Sequence, residues 1–286
     1  MKNLLFTFFL LISITASAQL TFDKRILDCE NKWVVFPEEY GGLHKYGFIY
    51  VDSRAVLIFE YRGNLKIDST GKIKAYPNEE NAEIKVPLYP SKTLIAVIPE
   101  ANLEQLKISK DPGSLSLNKL KEGSIEQLYS WGSIYNAWGE YQKGMELLEK
   151  ASKINSEYEG LSVQLAYSYN RLQQYKKAIE LLKKALVVNP TDAFINKEYI
   201  YALVNTQQLD AAIASYTNSL EVCPDKTYVA ENAFYILQGY FYKIDKKNFD
   251  KWLTQTENVM SSNEQIKKIV EQMKIEMKNE MKKNKQ

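Results

Sequence analysis

A chain of 286 residues with 37 basic and 35 acidic side chains is long enough to bury two cores. Its net charge of +2 offers no global field to nucleic acid or to an anionic membrane. A single histidine and two cysteines leave little material for a metal cluster, histidine-based catalysis or a disulfide framework.

The chain opens on Lys2, runs without charge from Leu4 to Ile14, and then reaches Ala16-Ser17-Ala18. A basic start, a short apolar run and small residues at the −3 and −1 positions predict a secretory signal peptide over 1–18, cleaved after Ala18. The apolar run is shorter than the roughly 20 residues that span a bilayer. The mature chain is therefore expected to have no integral membrane span and to be exported, periplasmic or extracellular, as a soluble protein. Cys29 lies too far into the mature chain for a lipid-bearing cysteine, and no Asn-x-Ser/Thr sequon occurs, as suits a bacterial exported protein. Cys29 and Cys223 read as two separate thiols, with a bridge between them as the alternative.

Residues 19–112 read as a small antiparallel β-rich domain. Trp33–Phe36, Phe48–Val51 and Ala55–Phe59 are β-branched and aromatic runs, whereas Leu65–Asp68 and Ile73–Tyr76 alternate with period two. Asp52–Arg54, Arg62-Gly63-Asn64 and Ser69–Lys72 carry turn residues between them. The lone His44 falls in a glycine-bearing segment, Gly41–Gly47, that reads as a flexible loop. Pro87 and Pro90 confine their surroundings to an edge or a loop. Thr93–Ile98 is a further strand, stopped by Pro99, after which Glu100–Leu106 can form one or two helical turns. The breaker-rich stretch from Ser109 to Ser114 and the break at Glu122-Gly123-Ser124 predict a linker over 113–124, with Ser124 an N-cap.

From residue 125 the apolar period changes to 3.6, and a 34-residue step appears. Gly144, Ala178 and Ala212 keep it, as do Leu148, Leu182 and Tyr216, and Ala151, Ala185 and Ser219. Ser156, Pro190 and Pro224 close successive units. A fixed period means one supersecondary unit copied in tandem, hence a helical solenoid. Its windows are 125–158, 159–192 and 193–226, with a degenerate fourth, 227–260. In that fourth window Phe234 sits where a small residue belongs and Asp250 where a bulky one does, so it reads as a cap of repeat length. Gly132 with Gly144, and Ala166 with Ala178, are small enough for two helices to cross closely. Residues 261–286 carry Ile266, Val270, Met273, Met277 and Met281 at helical spacing, which predicts a capping or amphipathic final helix.

Leu165, Ala166, Tyr169, Tyr175, Ala178, Leu182, Ala185 and Pro190 of the second window resemble the tetratricopeptide repeat. The fold expected is thus α+β: the β-rich domain followed by an all-α solenoid of three clear repeats, a degenerate capping repeat and a C-terminal helix. The β-rich region resembles segments found ahead of repeats in exported proteins of Bacteroidetes-type bacteria, and no activity follows from that likeness.

The tetratricopeptide resemblance implies a concave groove lined by the first helix of each pair. Carried onto this sequence, the groove-lining positions include Tyr129, Ser133, Asn136, Val163, Tyr167, Asn170, Arg171, Lys197, Tyr201 and Asn205. Tyrosine offers large contact area at low entropy cost, and asparagine can bond an extended backbone from either side of its amide. The expected partner is therefore a protein or a short peptide, with no nucleic acid, and the protein is expected to be a non-enzymatic interaction scaffold. The sequence holds no HExxH, CxxC, GxSxG or P-loop pattern, so no catalytic, cofactor-binding or metal residue is assigned. Two other readings compete: an envelope assembly factor whose β-rich domain carries recognition, and a carboxylate-dependent enzyme acting on glycans. The sequence leaves the oligomeric state open.

Overall fold

The computed structural model describes residues 20–39, 41–69, 71–78, 84–112 and 120–283. The expected signal peptide and its cleavage point, and most of the expected linker, lie outside these residues. The chain divides into two compact units, Met1–Leu120 and Lys121–Gln286.

The first unit is one antiparallel sheet. Its strands are β1 (Lys24–Arg25), β2 (Lys32–Val35), β3 (His44–Val51), β4 (Leu57–Ile67), β5 (Ile73–Pro77), β6 (Ile84–Pro87) and β7 (Leu94–Val97). Their order is β1-β7-β2-β3-β4-β5, with β6 also paired to β4. On the edge away from β3, β4 serves two partners because it is long. Its first half pairs with β6, from Ile58↔Pro87 to Tyr61↔Ile84, and its second half with β5, from Gly63↔Pro77 to Ile67↔Ile73. Between the halves lies Gly63 at φ +137°, where an added Cβ would collide with the Tyr76 carbonyl oxygen. Only glycine fits there. Arg62-Gly63-Asn64 is thus no turn but an irregularity inside a strand, beside the register shift at Tyr46/Gly47.

His44 likewise leaves its expected loop. It opens β3 opposite Leu65, stacks on Phe22 at 5.4 Å, and has Nδ1 3.0 Å from the Phe36 carbonyl oxygen. The apolar cluster of this unit joins Trp33, Val35, Phe48, Tyr50, Ile58 and Leu65 to Leu103 of α1 (Glu100–Gln105). Trp33 Nε1 also donates to the Ser109 carbonyl at 2.9 Å, which ties down the segment after α1. Glu60 is fully buried opposite Phe48 and forms an ion pair with Arg62.

The second unit has nine helices among the described residues: α2 (Ile125–Ala137), α3 (Tyr141–Ile154), α4 (Leu161–Arg171), α5 (Tyr175–Val188), α6 (Ala193–Asn205), α7 (Leu209–Val222), α8 (Val229–Tyr242), α9 (Lys246–Met260) and α10 (Glu264–Lys283). Ser124 caps α2 and Asp192 caps α6, each side chain accepting a backbone N–H of the first turn. Helices of a pair are joined by a tight turn with one left-handed residue: Gly139, Gln173, Gln207 and Ile244. The first three keep the repeat step, and the fourth comes late, after a short insertion. That extension explains the fourth window. Asp250 falls in the bulky column only if nothing is inserted; in the structure it is exposed, while Phe249 and Trp252 are buried.

The glycine pair of the first repeat brings its helices into backbone contact. A Cβ on Gly132 would meet Leu148 Cγ at 2.5 Å, and one on Gly144 would meet Asn136 Oδ1 at 2.6 Å and the Gly132 oxygen at 3.0 Å. At the other end, Ile266, Val270, Met273 and Met277 of α10 are buried in one cluster with Phe249, Trp252 and Met260. The apolar stripe of α10 therefore covers the last helix pair, as the terminus of a solenoid requires. Cys29 and Cys223 are both buried free thiols.

Candidate ligand-binding face

Asn136 and Asn170 stand in the same column of successive repeats and do the same task. Asn136 Nδ2 donates to the Gln164 carbonyl at 2.9 Å, and its Oδ1 accepts from Ser168 Oγ at 2.8 Å. Asn170 Nδ2 donates to the Glu198 carbonyl at 3.0 Å and to Glu198 Oε2 at 2.8 Å. Each asparagine stitches the first helix of one repeat to the first helix of the next, α2 to α4 and α4 to α6. Both are almost fully buried. The expectation that they offer amides to a ligand is corrected: those amides hold the solenoid together. The ladder then frays. Ala202 stands one repeat after Ser168, and Asn170 Oδ1 is buried without a partner. Val204 stands where a third asparagine would, and Asn232 Oδ1, one repeat beyond Glu198, is also unpartnered.

Glu198 organises the cluster above the ladder. It is fully buried, with Oε1 3.2 Å from Arg171 Nη2 and 2.8 Å from Lys197 Nζ. An isolated buried carboxylate is costly, and two cations with an amide donor satisfy this one. The cations are in turn framed by rings. The Arg171 guanidinium lies 4.7 Å from the Tyr167 centroid and 5.4 Å from Tyr201. Lys197 Nζ lies 4.7 Å from Phe194 and 5.0 Å from Tyr228. Ring contacts run continuously from Tyr141 through Tyr167 and Phe194 to Tyr228, and from Tyr175 through Tyr201 to Tyr235.

Two phenols of this cluster, Tyr175 and Tyr235, are held in the protonated form beyond the ordinary tyrosine range. Burial and the neighbouring Tyr201 push Tyr175 up to about 12. Burial, and then its hydrogen bond to Glu231, push Tyr235 up as well. The result is a half-exposed face of rings and hydroxyl donors over a fixed pair of cations, presented by α4, α6 and α8.

Of the ten expected groove residues, Tyr167, Arg171, Lys197 and Tyr201 meet in this cluster, and Asn170 joins it through its bond to Glu198. The others do not join it directly. Tyr129 packs at a tilt against Tyr158, centroids 5.2 Å apart, and its hydroxyl occupies the space that a Cβ on Gly160 would need. Val163 packs against the core between the first repeats, and Ser133 is half-buried with its Oγ unpartnered. Asn205 is exposed and donates to the Tyr201 carbonyl of its own helix at 2.8 Å. Phe194, a groove-lining position of the third window, also belongs to the site, as do Glu198, Tyr228 and Tyr235, which the candidate set omits. The sequence does carry a signal for Glu198: it occupies the Gln164 column of the next repeat, at the same offset from Asn170 as Gln164 has from Asn136. Among the described residues, no group of three His, Cys, Asp or Glu side chains could hold a metal ion. No helix there is long and apolar enough to cross a membrane.

The family model described as the tetratricopeptide repeat matches residues 128–158 and 161–192. Among solved structures, YrrB, described as a TPR protein with an unusual peptide-binding site, is 19% identical with a TM-score of 0.45, over 56% of this chain and 78% of that one. MamA 41-end from Desulfovibrio magneticus RS-1 is 20% identical with a TM-score of 0.42, over 50% and 78%. MamA from MSR-1 is 22% identical with a TM-score of 0.43, over 49% and 78%. No curated protein matches the chain. The family match falls on the two helix pairs α2/α3 and α4/α5, the same segments in which the asparagine ladder and the small-residue crossings are found. The chain carries tetratricopeptide repeats over residues 128–158 and 161–192, behind an N-terminal antiparallel β-sheet region.

Proposed function

We propose that this protein is a non-enzymatic scaffold that holds a short, extended protein segment against the stacked face of α4, α6 and α8. The observation that carries the reading is the pair of cations fixed by one buried acid and framed by half-exposed rings. Rigid rings supply contact area with little entropy to lose, and the prepositioned, partly exposed Arg171 guanidinium suits carbonyl or carboxylate oxygens on a peptide. The same scaffold is exported, a reading supported by the apolar run and small residues at the N-terminus.

The test pairs wild type with a Tyr167→Ala, Tyr201→Ala double variant, which leaves the ladder residues intact. Cross-linked partners recovered from the native cell should be lost with the variant while its helical circular dichroism is retained. Equal recovery from both would remove the face from the account. N-terminal sequencing of the native protein should begin at Gln19, and a start at Met1 or Lys2 would end the export reading.

A further inference from the structure

A second recess lies away from the stacked rings, where the ends of α3, α4, α5 and α6 converge. Its volume is about 630 Å³, within the roughly 300–1,000 Å³ usual for ligand pockets. Leu161, Val163, Leu181, Ala185, Val188 and Ile195 form its apolar wall. Its mouth is unusually greasy for a surface: Val188 is 86% exposed, and Val187 beside it 82%. Such side chains at a pocket edge mark an interaction surface more often than a simple solvent face.

The recess exists because one repeat departs from the next. Asn196, in the column that Ser162 holds one repeat earlier, donates to the carbonyls of Pro190 and Asp192 at 3.0 and 2.9 Å. It thereby fills the corresponding corner of the following repeat. Cys223 packs against the same amide at 3.4 Å. The earlier copy has Ser162 and Asn189 at those columns, and the corner stays open.

Charge selects the occupant. Glu157, Glu159 and Asp192 line the recess against one cation, Lys184. The first turn of α4 also faces it with no side-chain cap, but three acids against one lysine oppose an anion. We propose that this recess docks a cationic segment of a partner protein. A leucine-like side chain fills the apolar wall, and flanking lysine or arginine side chains meet Glu157, Glu159 and Asp192. The site is independent of the stacked face.

The experiment uses the full chain and a fluorescein-labelled synthetic peptide, Gly-Lys-Leu-Leu-Lys-Gly, followed by fluorescence anisotropy at low and high salt. Two controls replace both lysines by glutamate or both leucines by glycine. Saturable binding of the first peptide, weakened by salt and absent for both controls, is expected. A Glu159→Lys, Val188→Ser variant changes two exposed side chains and should keep its helicity and Tm while losing about ten-fold in affinity. Equal binding of the glutamate peptide, an unchanged affinity for that variant, or no saturable binding would each overturn the proposal. Tyr201→Ala should leave this binding intact. If Tyr201→Ala abolishes it, the peptide is read by the stacked face instead, which sinks the recess and supports the scaffold reading above.

Discussion

Ala202→Ser should stabilise the helical unit, and the reason can be measured inside the same chain. Asn170 Oδ1 is buried with no donor, whereas its counterpart one repeat earlier, Asn136 Oδ1, accepts from Ser168 Oγ at 2.8 Å. Residue 202 occupies the Ser168 column and is fully buried as alanine. A serine there places a hydroxyl where the earlier repeat already places one. A net intramolecular hydrogen bond contributes about 0.5–1.5 kcal/mol, and an unsatisfied buried acceptor costs about 1–3 kcal/mol. Against this stands the lower helix propensity of serine, about 0.5 kcal/mol. Relieving the unsatisfied acceptor therefore leaves a gain of about 0.5–2.5 kcal/mol, which for a unit of this size raises Tm by about 1–10 °C. Thermal unfolding followed at 222 nm reads the helices directly. The gain should vanish in an Asn170→Ala background, because the acceptor is then gone. The reciprocal change, Ser168→Ala, should lower Tm by orphaning Asn136 Oδ1. A lower Tm for Ala202→Ser, or the same gain without Asn170, would refute the reasoning.

Gly144→Ala should destabilise the first repeat although alanine is the better helix former by about 1 kcal/mol. Its Cβ would lie 2.6 Å from Asn136 Oδ1 and 3.0 Å from the Gly132 oxygen, so overpacking at about 1–3 kcal/mol prevails, and a raised Tm would contradict the close crossing. Burial and the 2.9 Å hydrogen bond to Glu149 push Tyr169 up to about 12, above the roughly 10 of an unfolded tyrosine. A group with a raised folded pKa stabilises fully below its unfolded value, so this contribution is present below about pH 10 and is lost as pH rises through about 12. The 295 nm titration of wild type minus Tyr169→Phe should show one tyrosine ionising near pH 12, and a midpoint near 10 would contradict the assignment.

Legibility followed the strength of the repeating signal. The small residues at Gly132, Gly144, Ala166 and Ala178 and the buried Leu148 and Leu182 columns are tertiary demands that recur with every repeat, so the windows and the crossings could be read directly. The β region offered less. Strands β2 and β3 are dense in aromatic and β-branched residues, but β6 is a short edge with all four residues exposed and a terminal proline, and it has no pattern to read. Gly63 carries the same composition as a turn, because a turn and a strand irregularity both need a positive φ. In the proposed binding face, Tyr167, Arg171, Lys197 and Tyr201 were legible because the resemblance supplied their positions. Asn136 and Asn170 occupy the same kind of position, yet their amides turn to the next helix. An asparagine on a groove-lining column can serve a ligand or the neighbouring repeat with the same chemistry. What distinguishes the two is a polar residue at a fixed offset in the next repeat, Gln164 or Glu198.

The departures from the period are as informative as the period itself. An ideal array satisfies each buried polar atom with the same neighbour in every copy, so a replaced column leaves its partner exposed to a deficit that nothing else in the array repairs. Ala202 and Val204 break columns of the ladder, and Asn170 and Asn232 each keep an unpaired oxygen. Ser162 stands where Asn196 stands one repeat later, and a recess of about 630 Å³ opens beside it. The first kind of break is internal and lowers stability; a single hydroxyl can mend it. The second opens to solvent beside exposed valines, and none of the described residues fills it. Inserting the missing residue separates the two cases. Ser162→Asn restores the donor that Asn196 supplies one repeat later. If the recess is a packing fault, that change should raise Tm and alter nothing else. If it is a docking site, the same change should also weaken binding of the cationic leucine peptide, and a variant that gains stability while binding it as tightly as wild type would place the recess with the faults.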